Sequence, residues 1–356
     1  MKRCSRSTVC YMNEFKQHPE MKKIIIAISV VALFLLFTAN IFSGSVDIPA
    51  RGVLSVLMGD ECSDVWRLIV VETRLPQAFA ALLAGAAVSV AGLILQTLFN
   101  NPLAGPEVLG INSGAGLGVA VVMLLAEGAL LAGTVGLHGY FAVLAGAFAG
   151  SLAVMSLILL LSSMLRSRLY LLIAGVAVSF LVSSAISILN YFSTAEGVHS
   201  YMIWGMGSFG GVSLEQLPVF AVPLVLLLAV AMLNAKPLNA LLLGDDYATN
   251  LGINVMSVRV VLLAVVGLIV AVVTAFCGPV TFIGLAVPHV ARLLLKSNNH
   301  KSLLPVTMLA GASIALLCNV ICQLPGENGL MPLGAVTPLI GAPVIIYVLL
   351  RNKGND

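Results

Sequence analysis

Charge is what this sequence has least of. Of its 356 residues only 9% are Asp, Glu, Lys or Arg, whereas 60% are hydrophobic and the mean hydropathy is +1.06. A soluble domain carries about 25% charged residues, so water is not the solvent of most of this surface. No G-x-x-x-x-G-K-[ST] occurs, so the chain has no P-loop with which to hydrolyse ATP. The six cysteines (Cys4, Cys10, Cys62, Cys277, Cys318 and Cys322) form no C-x-x-C pair and have no histidine at ligand spacing. That excludes the usual zinc motifs and a disulfide framework. Cys318 and Cys322 share a helix face at i, i+4, but free cysteine ordinarily behaves as a small buried hydrophobe. No metal and no cofactor is expected.

Ionisable residues are also missing from the interiors of the apolar runs. The polar residues there, Asn190, Asn319 and Gln323, are neutral, and His289 and Arg292 stand near a run's end. Intramembrane charges are costly and usually functional. A proton- or sodium-coupled carrier needs carboxylates near the midplane, and a membrane-embedded enzyme needs an acid, a base or a metal set. An ion-coupled secondary transporter is therefore the weaker alternative, and catalysis by this chain is not expected.

What is present is a series of apolar runs of bilayer length. One span needs about 20 apolar residues, and ten runs can be marked: 24–43, 76–98, 108–126, 139–164, 169–191, 217–234, 258–277, 280–295, 303–323 and 332–350. Lipid offers backbone groups no partner outside the segment, so each run must be a helix. The expectation is an all-α polytopic membrane protein with about ten transmembrane helices. Residues 1–22 form an N-terminal tail, 23–351 one transmembrane domain and 352–356 a C-terminal tail. Lys22 and Lys23 before the first run suit an uncleaved span better than a signal peptide, because no small-x-small exit follows. Met21 is an alternative start.

Alternating the runs with the N-terminus inside puts fifteen of the eighteen Lys and Arg on the cytoplasmic side and only Arg51, Arg67 and Arg74 outside. The positive-inside rule thus places both termini in the cytoplasm. The largest inside loop, 235–257, has a polar core from Gly244 to Gly252 that reads as a short helix stopped by Gly252. It suggests a surface for a soluble partner. Gly114-Ala115-Gly116-Leu117-Gly118 and Gly146-Ala147-Phe148-Ala149-Gly150 fit the small-xxx-small pattern of closely packed membrane helices. Either a homodimer seam or packing within one subunit would use them. Pro76, Pro102, Pro106, Pro279, Pro288, Pro332, Pro338 and Pro343 are expected to start or interrupt spans, giving broken helices that can line a polar path.

Several stretches, in order, carry a family likeness. They are Arg74-Leu75-Pro76, Gln96-Thr97-Leu98-Phe99-Asn100-Asn101-Pro102-Leu103-Ala104, Leu109-Gly110-Ile111-Asn112-Ser113-Gly114-Ala115-Gly116, the run Gly278 to Arg292 with Pro288-His289, and Gly334 to Pro343. Together, over about 54–351, they closely resemble the permeases of ABC importers for iron-siderophores, haem and vitamin B12. The resemblance implies a ten-helix subunit of the bacterial cytoplasmic membrane that pairs as a homodimer around a central path. It implies two cytoplasmic ATPase subunits and a soluble binding protein that delivers substrate from outside, and no nucleic acid. It assigns ATPase coupling to Gly244, Asp245, Asp246, Tyr247, Ala248, Leu251 and Gly252. It assigns binding-protein docking to Arg67 and then Arg51, and the cytoplasmic gate to Ser167, Arg168 and Leu169. Two positions depart from the family pattern: Gln323 stands where Arg is frequent, and Leu330-Met331-Pro332 where Glu-Leu-Pro is usual. An iron chelate or haem is the first substrate expectation, with cobalamin close behind.

Overall fold

The computed structural model describes residues 19–60, 63–125, 137–165, 167–323 and 331–353. All regular structure among them is helical, and each of the ten apolar runs lies on a helix. These are α1 Pro19–Phe42, α3 Asp64–Leu98, α4 Ile111–Leu125, α5 Leu137–Met164, α6 Arg168–Phe192, α8 Leu217–Leu233, α11 Val255–Cys277, α12 Ile283–Leu295, α13 His300–Cys322 and α14 Leu333–Lys353. Shorter helices lie between them: α2 Ala50–Met58, α7 Ala195–Gly205, α9 Ala235–Leu241 and α10 Asp245–Asn250. By length and composition, 6 of the helices can each cross a bilayer, or up to 7 if α8 and α9, bent by 53°, form one span. The other three, α4, α12 and α14, are shorter apolar helices. At about 1.5 Å per residue, the 13 residues of α12 reach only part of the way across. The expected N-terminal tail lies outside the described residues except where α1 begins.

α3 is the axis of the bundle, and small residues make it so. A side chain at Gly85 would meet the Gly311 carbonyl at 2.4 Å, and one at Gly92 would meet the Gly284 carbonyl at 1.7 Å. α13 and α12 therefore approach α3 backbone to backbone, the contact that drives helix association in lipid. Hydrogen bonds give the register. Gln77 Nε2 donates to Asn319 Oδ1 at 3.1 Å, Ser89 Oγ to the Thr307 carbonyl at 3.0 Å, and Thr97 Oγ1 meets His300 Nε2 at 2.9 Å. The pairing 77 with 319, 89 with 307 and 97 with 300 makes α3 and α13 antiparallel. Asn319 Nδ2 reaches Asn40 Oδ1 at 2.7 Å, which lays α1 alongside α13. Each such bond contributes roughly 0.6 kcal/mol, so their larger effect is on register.

The basic residues separate to the two ends of this bundle. Arg74 donates to the Ile41 and Phe42 carbonyls at 3.0 and 3.1 Å, closing the C-terminal end of α1. At the opposite end Lys22 reaches Ser302 at 3.5 Å, and Arg292 donates to Gln96 two residues before α3 ends.

The glycine stretches are spent inside the subunit. A side chain at Gly118 would meet the Gly146 carbonyl at 1.8 Å, and one at Gly150 the Gly114 carbonyl at 2.1 Å, so they zip α4 to α5. The prolines interrupt less than expected. Pro288, Pro338 and Pro343 lie within α12 and α14. Pro76 lies in the unbroken α3, where Leu68–Arg74 widens into a π segment. Proline has no N–H and its ring collides with the carbonyl four residues back; a wider turn relieves both. The 53° bend falls at Asn234, between α8 and α9. Pro237 accounts for it, since a straight helix would drive its ring into the Leu233 carbonyl.

Candidate functional site

The loop 244–252 is built from its glycines. Gly244 has φ +110 and ψ 159, a conformation open essentially to glycine alone, and it turns the chain from α9 into α10. Asp245 and Asp246 occupy the first turn of α10, where carboxylates favour the positive end of the helix. Asp245 also pairs with Arg259 of α11 at 3.2 Å, tying the short helix to a long one. At the other end Gly252 has φ +78; its N–H bonds Thr249 O at 2.9 Å and the Ile253 N–H bonds Ala248 O at 3.1 Å. That pair is a Schellman stop. Ala248 is fully buried and anchors the helix inward.

The exposed side of this loop mixes polar residues, Asp246, Thr249 and Asn250, with large apolar ones. Leu243, Tyr247 and Leu251, spaced four apart, are 65%, 49% and 58% exposed, and Met256, in the first turn of α11, is 41% exposed. Large apolar side chains exposed on a polar loop are candidates for contact with another protein. Leu243 and Met256 were not among the expected site residues, although the four-residue spacing of 243, 247 and 251 is visible in the sequence.

Arg51 and Arg67 are exposed at the other end of the bundle. Arg51 lies on α2 and Arg67 in the first turns of α3. Gly52 sits against the Trp66 ring, where an added side chain would come within 2.7 Å, so the two short segments touch and the arginines flank one corner. Near that end, Gln77, Ser208, Asn319 and Gln323 contribute to a cavity of about 210 Å³. Gln323 is 4% exposed and its Oε1 has no hydrogen-bond partner.

Ser167 is the N-cap residue of α6, extended at φ −85 and ψ 127, and its hydroxyl makes no capping bond. Leu169 is exposed beside it, and the Arg168 side chain lies outside the described residues. α6 passes the turn that follows α3: a side chain at Gly175 would meet the Val108 carbonyl at 2.8 Å. The start of α6 thus belongs to the same end of the bundle as 244–252.

Residues 32–351 match the FecCD transport family. The chain belongs to that family. It is 38% identical over 297 residues to the vitamin B12 import system permease protein BtuC of Klebsiella pneumoniae subsp. pneumoniae, covering 83% of this chain and 87% of the relative. It is 38% identical over 302 residues to the BtuC permease of Escherichia coli O127:H6, covering 84% and 89%. The fold matches a solved structure assigned as a metal-chelate type ABC transporter in an inward-facing conformation, with a TM-score of 0.78 at 28% identity over 91% of this chain and 99% of that one. This FecCD chain is the permease subunit of an ABC importer rather than an ion-coupled carrier.

One acidic residue of this FecCD permease escapes a sequence reading. Glu107, in the 3-10 turn Pro106–Leu109, is half-buried, with its carboxyl turned inward. Its Oε1 accepts from the Phe282 N–H at 3.0 Å, capping the start of α12, while Oε2 is buried without a partner. Phe282 itself has φ +65, a left-handed conformation that non-glycine residues seldom adopt. Burial pushes the Glu107 carboxyl above the usual carboxylate range. In the sequence it stands one residue ahead of the run 108–126, where an acid looks like a solvated loop charge.

Proposed function

We propose that this permease moves a metal chelate, a cobalamin-class corrinoid first, into the bacterial cytoplasm as a homodimer. In this reading ten helices make up the membrane domain, α12 reaching only part of the way across, both termini face the cytoplasm, and two separate ATPase subunits sit on 244–252. A soluble binding protein docks outside over the corner of Arg67 and Arg51, and Ser167, Arg168 and Leu169 close the cytoplasmic end of the path. The observation that carries it is the exposure of the apolar side chains Leu243, Tyr247 and Leu251 on a loop whose helix is fixed at both ends. A rigidly held apolar face can transmit a push from a partner; a floppy loop would absorb it. Asp245 and Gly252 then serve to hold the helix, and Tyr247 and Leu251 to touch the ATPase. The substrate order departs from the first expectation, because the 38% identical relatives are named for vitamin B12 import. That supports cobalamin ahead of iron chelates and haem.

The test is co-purification with the cognate ATPase. Tyr247→Asp and Leu251→Asp remove apolar anchors from an exposed face. Anchors of this kind cost about 2 kcal/mol or more when lost, so each variant should bind the ATPase roughly 30-fold more weakly while eluting as a folded permease. Undiminished co-purification of both variants would refute the seat.

A further inference from the structure

We infer that His300 is the joint through which movement of the 244–252 loop passes into the membrane bundle. His300 opens α13 and is 1% exposed. Its backbone N–H and ring Nδ1 both meet Asn239 Oδ1, at 2.8 and 2.9 Å, and its Nε2 meets Thr97 Oγ1 at 2.9 Å. Asn239 belongs to α9, the helix that runs directly into the loop. Thr97 is the penultimate residue of α3, the bundle's axis. One side chain therefore joins the approach to the loop, the central helix and α13.

The network assigns its own protons. Asn239 Nδ2 donates to Asn299 Oδ1 at 3.0 Å, which leaves Asn239 Oδ1 as an acceptor. The imidazole must then carry its proton on Nδ1 and donate it to Asn239. Nε2 is left as an acceptor, and the single Thr97 hydroxyl proton serves it in place of the Leu93 carbonyl, which lies at the same 2.9 Å. With the Thr97 proton on Nε2 every polar atom of the ring is satisfied in this one tautomer; His300 and Thr97 are each 1% exposed, so water does not replace the bond between them, while Asn239 is half-buried. Apart from Asn239, which also bonds Asn299, the buried residues of α9 are apolar (Leu238, Ala240 and Leu241 among them), and apolar surfaces can slide. The bonds of His300 cannot slide, because a shift of either partner leaves a buried polar group unpaired. Next to Thr97, Gln96 accepts from Arg292 and donates to the Leu285 carbonyl at 3.1 Å, so α12 follows α3.

This inference rests on the loop 244–252 being the ATPase seat. The experiment uses the full complex of permease, ATPase and binding protein in proteoliposomes, with radiolabelled cobalamin as the probe, and reads uptake per ATP hydrolysed and stimulation of hydrolysis by the binding protein. Thr97→Val keeps the shape and removes the hydroxyl; His300→Leu removes both ring contacts; His300→Gln keeps a donor and an acceptor. Uptake per ATP should fall about tenfold in Thr97→Val and more in His300→Leu, the size of one lost buried hydrogen bond and of several. Hydrolysis should continue in both but lose its response to the binding protein, and His300→Gln should recover part of the coupling. Uptake per ATP within about twofold of wild type in Thr97→Val and His300→Leu would overturn the joint. So would a lower yield of complex whose assembled fraction couples normally, since a purely structural role predicts that. Undiminished co-purification of Tyr247→Asp and Leu251→Asp would instead overturn the seat itself, and is read without any change at Thr97 or His300.

Discussion

Glu107 is half-buried, and only one of its carboxyl oxygens meets a donor while the other is buried without one. Because burial raises its folded pKa above the ordinary 4.5, the folded state holds the proton more tightly than the unfolded chain does. Its contribution to stability is complete below the unfolded pKa and is lost as pH rises through the folded one. Glu107→Gln keeps an oxygen for the Phe282 N–H and cannot ionise. The melting temperature of the wild type in detergent, minus that of Glu107→Gln, should fall as pH rises from about 4 to 8. Parallel profiles would show that the carboxyl is not held neutral. At this scale the sequence is legible where geometry is dictated locally. Gly252 reads as a helix stop because a left-handed residue is needed there. Glu107 does not read as buried, because its partner, Phe282, lies far along the chain.

The elements of the bundle are joined by contacts that a side chain would destroy. Gly118 faces the Gly146 carbonyl, and a methyl group there would meet backbone that no rotamer change can relieve. Gly118→Ala should destabilise the permease by about 1–3 kcal/mol, as overpacking generally does, measured as a lower melting temperature in detergent. Gly205→Ala is the control: nothing lies within 4 Å of an added methyl there, and its melting temperature should not fall. The small-xxx-small spacing shows from sequence that α4 and α5 each have a face for close approach. It cannot say whether the partner is the next helix or a second copy, because spacing defines a face and not a neighbour. Proline reads less well still. Pro76 is absorbed by a π segment while Pro237 bends the chain at Asn234, and the outcome depends on which neighbours take up the freed carbonyl.

At the scale of the whole molecule, composition alone establishes a polytopic membrane protein, and the uneven placement of Lys and Arg anticipates the two ends that the structure separates. The ordered motifs from Arg74 to Pro343 lead to the FecCD transport family. Less legible is the way helices of unequal length assemble around α3, with α12 and α4 starting from turns that meet at Glu107 and Phe282. Those contacts join residues far apart in the chain. The chain has no P-loop, and in the proposed function a separate ATPase pushes on Tyr247 and Leu251 of the braced loop. The most direct measurement is uptake of radiolabelled cobalamin by cells carrying the complete transporter, with an uncoupler collapsing the ion gradients while cellular ATP is held constant. Uptake should continue at its energised rate and stop when ATP is depleted. Uptake that collapses with the gradient at constant ATP would contradict an ATP-driven permease.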